Sequence, residues 1–377
     1  KKYFYQAAAI VMKAYIFQQL VDMFNNIPYT QALQGTNVIQ PAYDKAQTIY
    51  ETLSGRLDTA VTLFKRSDAV AASNTDVLFN GNNTRWIQFA NTLRLRMLIR
   101  QTKISGRAAY IQAEIAKIVA NGGGFLTADA AVNPGYANNN GQLSPFWGQI
   151  YKIDGSYVSG SGDYWRAAQY PITFCTNNND PRYKYLYALT AQSPQIYQGN
   201  VLGSPTNHAG NSTSTFGPGI LKSASQSAIM ISAAESYFLQ AEAVLNGFIS
   251  GNAGTLFNSG VQASFTYLGA GDATGYYTQP GNQNTNYSAC TTPAQQLACI
   301  IRQKWMALNT VNPFEAWCDY RRLGLPADIP LTQSPYVDVL AIPVRILYPT
   351  SEYQNNTANV NAQGAIDHHT SKVFWMP

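Results

Sequence analysis

Apolar residues recur at helical spacing through the first third of the chain. Ile10, Ala14, Phe17, Val21 and Phe24 follow steps of four and three, with Lys13, Gln18, Gln19 and Asp22 between them. This pattern predicts an amphipathic helix, which Asn25, Asn26 and Pro28 stop. A second helix follows Pro41, with Ile49, Leu53, Leu57, Ala60 and Phe64 on one face and Asp44 as its expected N-cap. A third carries Trp86, Ala90, Leu93 and Met97. A fourth carries Ile111, Ile115 and Ile118 and ends at Asn121 and the Gly122-Gly123-Gly124 run.

Beyond Phe125 the pattern breaks. Up to about residue 228, Gly, Asn, Ser, Pro and aromatic residues dominate, which predicts loops with short strands. Helical stripes resume with Ala234, Phe238, Ala241 and Leu245, ended by Gly247, and with Phe257, Val261, Phe265 and Leu268, ended by Gly269. A second loop covers 270–292. Pro293 opens a helix bearing Leu297, Ile301, Trp305 and Leu308, and a short helix from Phe314 to Leu323 stops at Gly324 and Pro326. The expected fold is therefore mostly α. Stacked helix pairs resemble tetratricopeptide repeats (about 34 residues each) without their consensus. The expected parts are helical 1–124, loop-rich 125–228 and helical 229–377 with an irregular tail, forming one compact unit.

Composition narrows the chemistry. Charged residues make up only 12% of 377, against about 25% in an average globular protein. Asn, Gln, Ser, Thr and Tyr replace them, as on secreted and cell-surface proteins. The net charge of +5 is scattered, so no nucleic-acid patch is expected. Arg94, Arg96 and Arg100 follow helical spacing and read as a solvated or ion-paired face. No apolar run reaches the ~18 residues of a membrane helix. The chain opens without Met inside a helix, so a preceding part, with any signal peptide or lipid-attachment Cys, is expected outside it. Cys290 and Cys299 could close a small disulfide loop or remain unpaired thiols; Cys318 reads as a small buried hydrophobe.

Several segments, in order, resemble the SusD-like/RagB family, in particular its second large branch. Residues 22–33, DMFNNIPYTQAL, are similar to the family's D-x-F-G-x-I-P-Y stretch, with Asn25 where Gly is usual. Residues 41–60 resemble its P-x-Y-D helix. Residues 81–97, GNNTRWIQFANTLRLRM, resemble its G-D…W-x-K-F-A-N segment, with Asn82 in place of Asp. NDPRY at 179–183, AESYFLQAEAVLNG at 234–247, IIRQKWMALN with FEAWCDYRRLGLP over 300–326, and IPVRILYPTSEYQNN at 342–356 complete the series. The C-terminal KVFWMP departs from the usual W-W-D. The resemblance implies a non-catalytic, lipid-anchored nutrient-binding protein on the outer membrane's cell-surface face. It would bind oligosaccharide, or else peptide, and serve a SusC-like TonB-dependent transporter.

The candidate ligand residues lie in the loops. Tyr136, Trp147, Tyr151, Tyr157, Tyr164 and Trp165 fall near Asn139, Asp154, Asp163 and Arg166. Flat aromatic faces suit the apolar faces of sugar rings, and Asn, Asp and Arg suit their hydroxyls; the same aromatics could equally form a small loop core. Tyr276, Tyr277 and Tyr287 are secondary candidates. Trp86, Trp305 and Trp317 read as core. Glu315, Arg321 and Arg322 read as scaffold ion pairs, and Glu235 and Glu242 as solvated or capping groups. No metal or cofactor is expected: His208 stands alone, and His368 and His369, read as a strand, would face opposite ways. A Ca²⁺ at Asn177–Asp180 lacks supporting spacing. Two readings compete with nutrient binding. An all-helical glycoside hydrolase would need two carboxylates about 5–10 Å apart, for which Asp154 and Asp163 are the only loop pair. A helical-repeat scaffold would bind another protein and no small ligand.

Overall fold

The computed structural model describes every residue except Ser73 and Ser161. In chain order the helices are α1 (Lys2–Phe24), α2 (Ala46–Phe64), α3 (Asn83–Ile99), α4 (Ala108–Ala120), α5 (Pro145–Ile150), α6 (Gln169–Asn177), α7 (Tyr183–Leu186), α8 (Ala233–Leu245), α9 (Ala253–Leu268), α10 (Thr274–Tyr277), α11 (Pro293–Leu308), α12 (Pro313–Leu323), α13 (Thr350–Asn355) and α14 (Thr357–Asn361). Two short strands, β1 (Ala130–Val132) and β2 (Ala228–Ile231), pair antiparallel. The fold is mostly helical, with tetratricopeptide-like stacking of helix pairs. The chain divides into two compact units. The first comprises Lys1–Phe125, Arg321–Leu323 and Val339–Pro377; the second comprises Leu126–Tyr320 and Gly324–Asp338.

In the first unit α1 packs on α2, α2 on α3 and α3 on α4. The stripes read from the sequence face inward, with Ala14, Val21, Leu57, Ala60, Ala90 and Leu93 fully buried. α1 is long and apolar enough to cross a membrane by length and composition, contrary to the expectation that no such run exists. Its apolar face packs on α2 and α3, as a core helix does. Two departures from the family's residues are locally explained. Asn25 caps α1 at φ 66°, a positive backbone angle that Asn adopts more readily than most residues other than Gly. Asn82 accepts the Arg85 N–H at the start of α3, as Asp would. Asp44 does not cap α2, whose N-cap is Lys45. Its carboxylate instead accepts from Tyr29 N, Thr30 N and the Thr30 hydroxyl, closing the Pro28 turn.

The arginines of α3 form no solvated face. Arg94, Arg96 and Arg100 are at most 3% exposed, because α3 is enclosed by α1, α2 and α4. Arg94 donates to Ser54 (2.9 Å), Asp58 (2.8 Å) and Glu114 (2.6 Å). Arg100 is paired with Asp22, which also accepts from Gln18, Tyr50 and, at 2.7 Å, the indole N–H of Trp375. Trp375 is fully buried. The divergent C-terminus therefore docks through Trp375, with Phe374 against the Tyr50 ring and its N–H on Asn25. Arg321 donates to the backbone oxygens of Asp22 and Val344, and Arg322 to Ile99 O. His368 and His369 sit in a turn rather than a strand, so their rings adjoin at 4.1 Å.

In the second unit α8, α9 and α11 pack together around Phe238, Phe257, Val261, Phe265 and Ile300. Gly260 lets α9 approach α8, since a Cβ there would lie 2.9 Å from the Phe238 ring. Glu235 and Glu242 are fully buried, not solvated, because α8 is covered by both α9 and α11. The NDPR turn supplies the deepest ion pair. Arg182, fully buried, donates to Asp180 (2.7 Å), Gln303 (2.7 Å) and Ser264 (3.0 Å) and lies over the rings of Phe265 and Tyr276. Both Asp180 oxygens are thus spent on Arg182. All four cysteines are free and buried. A hydrogen bond between Cys290 and Cys299 lowers the first thiol and raises the second. Trp305 is half-buried against the rings of Tyr170 and Phe174.

Two outcomes test these buried charges. Asp180→Ala strands the Arg182 guanidinium and should destabilise the second unit by about 3–5 kcal/mol in urea unfolding. For Glu114, burial alone would raise the carboxyl, but hydrogen bonds from Lys117, Arg94 and Ser54 outweigh it and hold it at about 2. A depressed carboxyl stabilises the fold above its unfolded value near 4.5 and loses that contribution as pH falls through the folded value. The stability gap between wild type and Glu114→Gln should therefore be constant above pH 4.5 and close towards pH 2; a gap that widens on acidification would refute the assignment.

Candidate functional site

The loop-rich stretch folds around a hairpin and a short helix. Pro145 opens α5, which places Trp147 and Tyr151 four residues apart on one side. The chain then turns at Asp154-Gly155, with Gly155 at φ 79°, a turn chemistry that suits hairpins. Lys152 N donates to Ser156 O and Val158 N to Ile150 O. Tyr151 and Tyr157 thus form a cross-strand pair, and paired residues share a face. Their rings stack at 5.1 Å and 18°, and Trp147 lies 4.9 Å from Tyr151. Trp147, Tyr151 and Tyr157 form one continuous aromatic ladder, with Tyr157 at 41% exposure.

Two cavities open in the loop region, one of them lined by Trp147 and Tyr151 of the ladder. One, about 420 Å³, is lined by Trp147, Tyr151, Gly155, Phe216, Pro218 and Leu221. The other, about 410 Å³, includes Phe146, Trp165, Arg166, Phe216, Asn309 and Pro313. Phe216 belongs to both walls. Trp165 is half exposed at the rim, and Arg166 is pinned by bonds to Gly210 O and Trp165 O. Both cavities fall within the size range of small-ligand sites. Tyr151 is pushed up to about 12, first by burial and then by its hydrogen bond with Tyr157, so the Tyr151 phenol stays neutral at ordinary pH.

The remaining candidates sit elsewhere. Tyr164 is 75% exposed, packed edge-on to Trp165. Tyr136 and Asn139 occupy the 136–142 loop, where Asn139 bonds Gln142. Neither lines either of these two cavities, although Asn138 ties this loop to Ile153 at the hairpin tip. Asp154 accepts from the N–H and hydroxyl of Ser156, and Asp163 from Gly160 N, so each carboxylate shapes its own turn. Tyr276 is not a surface residue: it is buried and its hydroxyl bonds Gln303 and Arg182. Tyr287 packs against Phe257. Tyr277 is half-buried on a different cavity.

The sequence reading missed Phe216. Its backbone pairs with Tyr187, and Gly217 N donates to Leu186 O. A Cβ at Gly217 would lie 2.4 Å from Tyr185 O, and one at Gly219 2.6 Å from Leu268 O. The Phe216-Gly217-Pro218-Gly219 run was the available signal, since glycine in a paired segment marks close backbone approach.

A family model described as starch-binding associating with outer membrane, SusD-like_2, matches residues 1–349. A SusD homolog from Bacteroides uniformis superposes with a TM-score of 0.83 at 24% identity, covering 98% of this chain and 81% of that one. A chitin-binding SusD homolog from Flavobacterium johnsoniae gives 0.82 at 27% identity, covering 100% and 81%. An outer-membrane protein from Bacteroides vulgatus, linked by its description to nutrient binding, gives 0.82 at 23%, covering 99% and 85%. No curated protein matches the chain.

Gly217→Ala should push Phe216 out of register with Tyr187 and cost about 1–3 kcal/mol, read as a lowered urea midpoint. Unchanged stability would show that the close approach to Tyr185 O is relieved without cost.

Proposed function

The chain belongs to the SusD-like family of proteins described as starch-binding and associating with the outer membrane, and from that premise we propose that it captures a neutral oligosaccharide and delivers it to a SusC-like TonB-dependent transporter. The observation that carries this reading is the ladder of Trp147, Tyr151 and Tyr157, whose first two rings line a cavity that shares Phe216 with a second one. Aromatic faces of this kind match the apolar faces of sugar rings, and their hydroxyls suit sugar hydroxyls. One relative of the same fold is described as chitin-binding, which supports a glycan over a peptide. The family resemblance further supports a lipid anchor, lying outside these residues, that holds the protein on the cell-surface face of the outer membrane.

Binding without turnover fits the carboxylates. A glycosidase acid needs a raised pKa, whereas the hydrogen bonds from Ser156 hold Asp154 below the ordinary range. Family members are binding proteins rather than enzymes.

Titration with a panel of glycans and peptides, followed by tryptophan fluorescence and calorimetry, tests the reading. A saturable glycan should bind, and Trp147→Ala should weaken it about tenfold or more, since a lost aromatic stack with its buried area is worth about 1.4 kcal/mol. Tyr157→Phe keeps the ring and should keep most affinity. A response to peptides alone would move the ligand to that class. Release of shortened product by the pure protein would overturn the non-catalytic reading.

A further inference from the structure

We propose that the second unit holds another binding site, for an uncharged, hydroxyl-rich ligand such as an oligosaccharide of a few sugar units, in the cleft that α8, α9 and the β1–β2 pair enclose. The cleft measures about 1070 Å³ and shares no lining residue with the cavities beside Trp147. The segment 216–227 divides them. Phe216, Pro218 and Leu221 line the ladder side, whereas Lys222, Ser223 and Gln226 line the cleft.

The cleft's frame is fixed by side chains whose hydrogen bonds are spent inside the protein. Gln226 accepts from Lys222 N and Ser223 N and donates to Ile220 O. Gln262 donates to Thr266 and Gly271 O and accepts from Ala273 N. The two charged groups are also engaged. Lys222 donates to Tyr267 O and sits 3.8 Å from that ring's centre, and Asp129 accepts from Ala233 N. Lys222 and Asp129 carry opposite charges that interact, so together they present no net charge to select an ion.

Against this fixed frame stand polar groups with no hydrogen bond to the described residues: the Asn258 amide, the Tyr237 and Tyr267 hydroxyls, and the Thr127 and Thr255 hydroxyls. Burial, and then Asp129, push the Tyr267 phenol up to about 12, so it remains a neutral donor. Convergent neutral donors and acceptors, with the faces of Tyr237 and Tyr277 beside them, are the chemistry that recognises a polyol rather than an ion or a hydrocarbon. The volume admits several sugar rings, at the upper end of the ordinary ligand range.

The test separates this cleft from the ladder. Calorimetric titration of the whole chain with maltotetraose, cellotetraose and chitotetraose is repeated in three backgrounds. Trp147→Ala strips the ladder. Ser259→Trp fills the cleft from the half-buried face of α9. The double variant Asn258→Ala/Tyr237→Phe removes unspent polar groups without adding bulk, which covers the case of Ser259→Trp misfolding. At least one tetrasaccharide should still bind when Trp147 is Ala, and that binding should weaken about tenfold or more on filling or stripping the cleft, as expected for two lost hydrogen bonds. Absence of binding in Trp147→Ala, or binding there that ignores both cleft changes, overturns the proposal. Wild-type binding that Trp147→Ala abolishes leaves the ladder reading standing and this one refuted. Binding that only the cleft changes affect does the reverse.

Discussion

The buried guanidinium of Arg182 holds the second unit together. Removing an arginine from water is costly unless its donors are met. Asp180, Ser264, Gln303 and Tyr276 meet them, from the NDPR turn, α9, α11 and α10. That turn is thereby fixed against three helices. α7 follows directly, and Leu186-Tyr187 leaves it as the extended segment against which Phe216 and Gly217 pair. The wall shared by the two loop-region cavities thus hangs on the segment that Arg182 anchors.

The first unit uses the same device with the sign reversed. There a carboxylate, Asp22, is the fully buried centre, and Arg100, Tyr50, Gln18 and Trp375 supply its donors. Arg321 grips the backbone of the same residue and lies 4.7 Å from the Trp375 ring centre. Residues far apart in sequence are joined at one point. A chain only 12% charged draws many of its few charges into such interior networks.

That economy leaves the surface to neutral polar and aromatic groups. In the second unit these fall into two arrangements. The ladder offers stacked rings with few hydrogen-bonding partners. The cleft of α8 and α9 offers many hydroxyls and amides on a frame of spent glutamines. Both suit neutral, hydroxylated ligands, through opposite balances of stacking and hydrogen bonding.

Periodicity in the sequence determined the helices, because an apolar stripe has few ways to hide: the faces of Ile49–Phe64 and Phe257–Leu268 are buried as their spacing requires. Gly247, Gly269 and Gly324 mark helix ends for an equally local reason, their positive φ. The Asp154-Gly155 turn, too, is a local property, and it brings Tyr151 to Tyr157. Three features were decided by the tertiary structure alone. Arg94, Arg96 and Arg100 carry helical spacing that cannot say whether water or carboxylates face them, since α1, α2 and α4 decide that. Tyr276 and Tyr157 look alike in their loops, yet one is sealed by Gln303 and Arg182 and the other is open. Phe216 joins the site only because Gly217 lets its segment close on Tyr187. In each case the partner lies far away in sequence, and a local pattern holds no information about a contact whose other half is supplied by a distant segment.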